Sequence, residues 1–168
     1  AIGAEGTNAY TSFDVTCYQE DIPANQLENW AKIQSDRFKH NVIRGFHTEL
    51  ETVYEEKNMS LTKDSRKLLE KLLSALYKNH PYGTQTVLGS QEHLKNPSIT
   101  NIKNYYAKWY VPNNMAICMS GDFDFDEAMD IIEKYFGDMQ PNDSLQMLQF
   151  EPEEEITSPV EVDVWGLE

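Results

Sequence analysis

The stretch FHTELETVYEEKN, residues 46–58, holds four glutamates and one histidine in thirteen positions. Two of the acids, Glu49 and Glu56, are seven residues apart. On an α-helix seven residues turn through about 700°, so the two side chains leave the axis about 20° apart and roughly 10.5 Å along it. That separation is too long for both carboxylates to bind one metal ion. It suits a pair in which one carboxylate binds a metal and the other holds a ligand of that metal in place. Phe46, Leu50, Val53 and Tyr54 form an apolar stripe on the same helix and set both acids beside it. A carboxylate there must find a partner or lose its hydration. The alternative is a solvated acidic face, of which Glu51 and Glu55 are members in either case.

Other chemistry in the chain is thinner. His47 and Glu51 have the i,i+4 spacing that can bind one cation, but no third ligand accompanies them. His40 and His93 read as surface residues, and His80, before Pro81, as part of a turn. No cysteine–histidine cluster completes a zinc site, and no nucleophile elbow, P-loop or dinucleotide fingerprint occurs. Cys17 and Cys118 are the two cysteines, each inside a strand-like run, and read as reduced core residues or one bridge.

The elements that must position these residues follow from periodicity. TNAYTSFDVTCY, 7–18, reads as one strand with Phe13, Val15 and Cys17 on one face, preceded by the flexible GAEG. A helix starts at Asn25, with Glu28 completing a capping box and Leu27, Trp30, Ala31, Gln34 and Phe38 at helical spacing. A second begins near Val42 and carries the glutamates. A third, 61–77, has Leu68, Leu69, Leu72, Leu73 and Leu76, and nothing demands a break between the two. HPYG, 80–83, is a turn, and 87–97 a loop with one helical turn. Ser98 caps a helix with Ile99, Ile102 and Tyr106. VPNN, 111–114, turns the chain into MAICMSGD, 115–122, a short buried-type strand. Asp124 opens a helix that Gly137 closes. EPEEEITSP, 151–159, is an acidic linker before a final strand in PVEVDVWGLE, 159–168. Helices grouped between distant strands predict an α+β layered domain.

With 168 residues, 40% of them hydrophobic, the chain is long enough for one domain with a core. A net charge of −14 argues against nucleic acid as a partner, and no apolar run is long enough to span a membrane. Both ends read as cut from a longer protein.

ELETVYEEKN, 49–58, resembles the glutamate-bearing helix of the pitrilysin/insulinase family of zinc metallopeptidases, which includes insulin-degrading enzyme and the mitochondrial processing peptidase. GAEGTNAYTSFDVTCY, 3–18, resembles the strand that follows that family's zinc motif. HPYG, 80–83, and YYAKWYVPNNMAICMSGDF, 105–123, resemble its later helix, turn and strand. The four segments occur in the family's order across nearly the whole chain.

The resemblance implies a partial metallopeptidase-type α/β layered domain, a mixed sheet packed against several long helices. Residues 1–158 would be the C-terminal portion of one peptidase domain, and 159–168 its final strand or the start of a linker. The family binds zinc through His-x-x-Glu-His and a downstream Glu, with the Glu inside that motif as general base. Matched residue by residue, the downstream ligand is Glu56 and its supporting acid Glu49. His-x-x-Glu-His is absent from the chain, so zinc belongs to the intact protein and this polypeptide alone is expected to be inactive. Asn8, Ala9 and Tyr10 match the edge strand to which substrate adds its own backbone. Peptide or protein substrates, other domains of the parent, a homologous subunit or a second copy of the chain are the implied partners. The competing implication is a family domain without catalysis, serving as scaffold or peptide-binding module. The compartment stays open: bacterial relatives are often exported and organellar ones mitochondrial.

Overall fold

The computed structural model describes residues 2–166. The elements run β1 (Glu5–Thr11), β2 (Thr16–Asp21), α1 (Leu27–Lys39), α2 (Phe46–Leu61), α3 (Asp64–Leu76), α4 (Pro81–Thr84), α5 (Gln91–Lys95), α6 (Ile99–Trp109) and α7 (Phe125–Phe136). The class is α+β. Among the described residues the sheet has two antiparallel strands, β1 and β2, in place of the expected mixed sheet. The chain divides into two compact units, Ala1–Ile43 with Ser98–Gln146, and Arg44–Pro97 with Met147–Glu168.

In the first unit the single strand expected over 7–18 is a hairpin. Ser12 and Asp14 favour a turn, and the Ser12 N–H donates to the Val15 carbonyl at 2.8 Å. Phe13 and Val15 therefore lie in the loop and share no strand face with Cys17. Thr11 faces Thr16, Tyr10 faces Cys17, Ala9 faces Tyr18 and Asn8 faces Gln19. Between Asn8 and Glu5 the register shifts, and Gly6 sits there at φ +60°. A bulge of this kind asks for a left-handed residue, which glycine takes without strain.

Pro23 ends the extended run, and one 3₁₀ turn, Ala24–Gln26, leads into α1. The expected capping box is not formed: no side chain caps this start. Glu28 is instead drawn across to α7, accepting from Lys134 Nζ at 2.5 Å and the Tyr135 hydroxyl at 3.0 Å. α1 packs on α7, with Ala31 and Ala128 buried; two such small side chains let the backbones approach closely. Trp30 lies 6.3 Å from Phe136, centroid to centroid. The Trp30 indole N–H donates to Glu20 Oε1 at 3.0 Å, and buried Gln34 reaches the same oxygen. Ser98 and Asp124 cap α6 and α7 as expected.

The strand expected over 115–122 is not formed. Strand hydrogen bonds need a neighbour, and this segment has none among the described residues. Ile117 and Cys118 are exposed in consequence, and both cysteines are free, which corrects the reading of Cys118 as core.

In the second unit α2 starts at Phe46, after Gly45 at φ +61°, and not near Val42. Thr62 and Lys63 separate α2 from α3, so the two are distinct helices. HPYG forms the short α4, capped by His80 Nδ1, which accepts from the Tyr82 N–H at 3.2 Å. Residues 147–166 have no helix or strand, so the alternation in PVEVDVW does not become a strand; Leu167 and Glu168 lie outside the described residues.

Candidate functional site

α2 carries Glu49 and Glu56 on one uninterrupted helix of sixteen residues. Phe46, Leu50, Val53 and Tyr54 are half-buried along it, while both acids are exposed. Glu49 lies in the first turn, where the unpaired N–H groups of the helix favour a negative charge. Glu56 borders an open cavity of about 530 Å³ with Met59, Ser60, Lys63, Arg66 and Leu69. Glu51 and Glu55 are exposed as well. His47 is exposed and stacks edge-on against Phe46, 5.6 Å between centroids.

No group of three or more His, Cys, Asp or Glu side chains converges among the described residues. A zinc site needs three or four donors at once. The described residues do not make a zinc site by themselves.

The residue after Glu56 is the one that periodicity did not single out. Lys57 is buried, with Nζ 3.5 Å from Glu70 Oε1 on α3 and 3.5 Å from Thr86 Oγ1. Arg66 Nε reaches the same Glu70 oxygen at 3.3 Å. Asn58 accepts from Gln91 Nε2 of α5 at 2.7 Å. Residues 57 and 58 thus face inward and hold α2 against α3 and α5, while residue 56, about 100° away around the helix, faces out. The only signal in sequence was a lysine within one turn of an apolar stripe.

In the first unit β1 pairs with β2 along one edge, and among the described residues its other edge has no strand neighbour. Asn8, Ala9 and Tyr10 are all exposed. The Ala9 N–H is occupied locally, donating to Asn8 Oδ1 at 2.9 Å. A hydrogen bond with the Cys17 thiol across the ladder raises the Tyr10 phenol above its ordinary value.

Comparison with known proteins gives these features a context. The family model described as "Peptidase M16 inactive domain" matches residues 96–164. The chain is 27% identical over 139 residues to an uncharacterized zinc protease of Mycobacterium leprae, covering 82% of this chain and 31% of that protein. It is 26% identical over 138 residues to a probable mitochondrial-processing peptidase subunit beta of Schizosaccharomyces pombe, covering 80% of this chain and 30% of that one. The chain therefore spans about a third of the length of these relatives. A protease from Helicobacter pylori shares the fold at TM-score 0.77 and 22% identity, over 88% of this chain and 36% of that one. The chain is thus similar, over residues 96–164, to the peptidase M16 inactive-domain family and, over about four fifths of its length, to proteins named as zinc proteases and as a mitochondrial-processing peptidase subunit.

Proposed function

We propose that the chain is part of a zinc-dependent metalloendopeptidase domain that hydrolyses peptide bonds. Glu56 supplies one zinc ligand, Glu49 braces the ligand set, and Asn8, Ala9 and Tyr10 present the edge to which a peptide adds as an extra strand. The observation that carries this reading is the continuity of α2, which holds the two acids two turns apart on one side of a single helix. The outer edge of β1, which has no strand neighbour among the described residues, supports the substrate role, since an edge strand can pair with a peptide of any sequence once Asn8 Oδ1 gives up the Ala9 N–H. The rest of the zinc site, and the general base, belong to the intact protein, so this polypeptide alone is inactive. Zinc-dependent cleavage by this chain alone would overturn that.

The test uses the intact parent. Glu56→Gln lowers both retained zinc and peptidase activity severely. Glu49→Gln keeps most of the zinc and lowers turnover by roughly 10–100-fold. Near wild-type zinc and turnover in both variants would sink the assignment.

A second reading is a non-catalytic family domain used as scaffold or peptide-binding module. It is favoured by the match to the inactive-domain model over 96–164. The two readings separate on the parent's sequence: a His-x-x-Glu-His motif upstream of this stretch supports the first, and its absence the second.

A further inference from the structure

Between the end of α3 at Leu76 and the start of α4 at Pro81 the chain turns a corner. Three consecutive N–H groups at that corner point to one carboxylate. Lys78 donates to Glu153 Oε2 at 3.1 Å, and Asn79 and His80 donate to Oε1 at 2.8 and 2.7 Å. Successive N–H groups aimed at one point form an anion-binding nest, and bonds to an ionised acceptor are the stronger kind. Three residues before Glu153, the Phe150 ring lies 4.4 Å from the His80 ring, edge to face, and His80 is itself 4.4 Å from Tyr82.

The segment that brings these two side chains has no secondary structure of its own. Glu151, Glu154 and Glu155 are exposed, while Glu153 is half-buried. Beside the nest a cavity of about 240 Å³ separates the segment from the end of α3; Leu76, Ile156 and Val160 line it without filling it. The segment is thus held at Phe150 and Glu153 and packed loosely just past the second of these points, over residues 153–160.

We infer that residues 147–156 are a releasable strap, latched by Glu153 in the nest and by Phe150 against His80, and that the corner is a recognition site for an aromatic-x-Pro-Glu segment whose resident occupant is the chain's own Phe150–Glu153. Release frees three N–H donors and the His80 ring for another acidic, aromatic peptide segment.

The experiment is amide exchange by NMR on the whole chain. Glu153→Ala raises exchange at Lys78, Asn79 and His80 about tenfold or more and speeds proteolysis within 147–166, while α1 and α7 amides keep their protection. An added peptide of sequence QFEPEEE, blocked at both ends, restores protection at the three amides. The same peptide with alanine at the position of Glu153 does not. Unchanged exchange in Glu153→Ala, or equal rescue by both peptides, overturns the proposal. If Glu153→Ala also exposes the amides of α2 and α3, Glu153→Gln replaces it. The amide side chain keeps an acceptor and loses the charge, so a smaller rise at the same three residues is expected, and wild-type exchange there overturns the latch.

Discussion

The ammonium of Lys57 lies 3.5 Å from Oε1 of Glu70, across the pair α2 and α3, although Lys57 is only 5% exposed. A buried charge stripped of its partner cannot recover its lost hydration, so the two ends of this contact are not equivalent. Glu70→Ala leaves Lys57 buried beside Arg66 and is expected to cost about 3 kcal/mol, the low end for a broken buried pair, because the contact is long. Lys57→Met removes the charge and keeps the stem, and is expected to cost under about 1.5 kcal/mol. Denaturant midpoints of the two variants decide this: a larger loss in Lys57→Met than in Glu70→Ala contradicts the asymmetry.

Asn8 covers the donor of its own neighbour on β1 through the 2.9 Å bond from the Ala9 N–H. That bond satisfies a group which the strand's register with β2 leaves to a side chain. Asn8→Ala is expected to raise exchange of the Ala9 amide by about tenfold while Tyr10 and Thr11 change little. Unaltered exchange at Ala9 would show that the amide is protected by other means.

Gly83 and Gly45 are expected to respond to alanine by different mechanisms. A Cβ on Gly83 would lie 1.9 Å from the Tyr77 carbonyl oxygen and 2.6 Å from that of Leu73, both backbone atoms that cannot swing aside. Gly83→Ala is therefore expected to cost roughly 2–4 kcal/mol and to loosen the α3–α4 corner. A Cβ on Gly45 meets nothing within 4 Å, but its φ is +61°. Gly45→Ala is expected to cost about 1 kcal/mol, from the left-handed backbone alone. Equal losses from chemical denaturation would refute the distinction.

The contact between Glu28 on α1 and Lys134 on α7 has a defined pH window. The hydrogen bond from Lys134, then that from Tyr135, holds the Glu28 carboxyl below its ordinary 4.5. The same bond holds the Lys134 ammonium above its ordinary 10.5. A depressed acid contributes stability above its unfolded value and loses it as pH falls through the folded one; a raised base contributes below its unfolded value and loses it as pH rises through the folded one. The clasp is thus at full strength between 4.5 and 10.5. Both groups are largely exposed, so the effect is small and weakens further in salt. Glu28→Gln is expected to lower Tm slightly at neutral pH and not at all in strong acid. A difference that persists in acid rules the clasp out as its source.

Sequence was enough to establish the α+β class, the helices of α1, α3, α6 and α7 with the caps at Ser98 and Asp124, and the seven-residue spacing that puts Glu49 and Glu56 on one side of α2. Those features are local: a helix bonds each N–H four residues back, and its caps lie within one turn. Tertiary structure decided what depends on distant partners. The run 7–18 became a hairpin because Ser12–Val15 closed a turn and Tyr10 found Cys17 opposite. Residues 115–122 read as a buried-type strand and 160–166 alternate like one, yet among the described residues no strand pairs with either and they stay irregular. Lys57 became buried because Glu70 lay thirteen residues on, and Glu153 became a latch because three N–H groups more than seventy residues earlier faced it. Charge and hydrophobicity along the chain cannot register such pairings, because a polar side chain enters an interior only when folding has already brought its partner there.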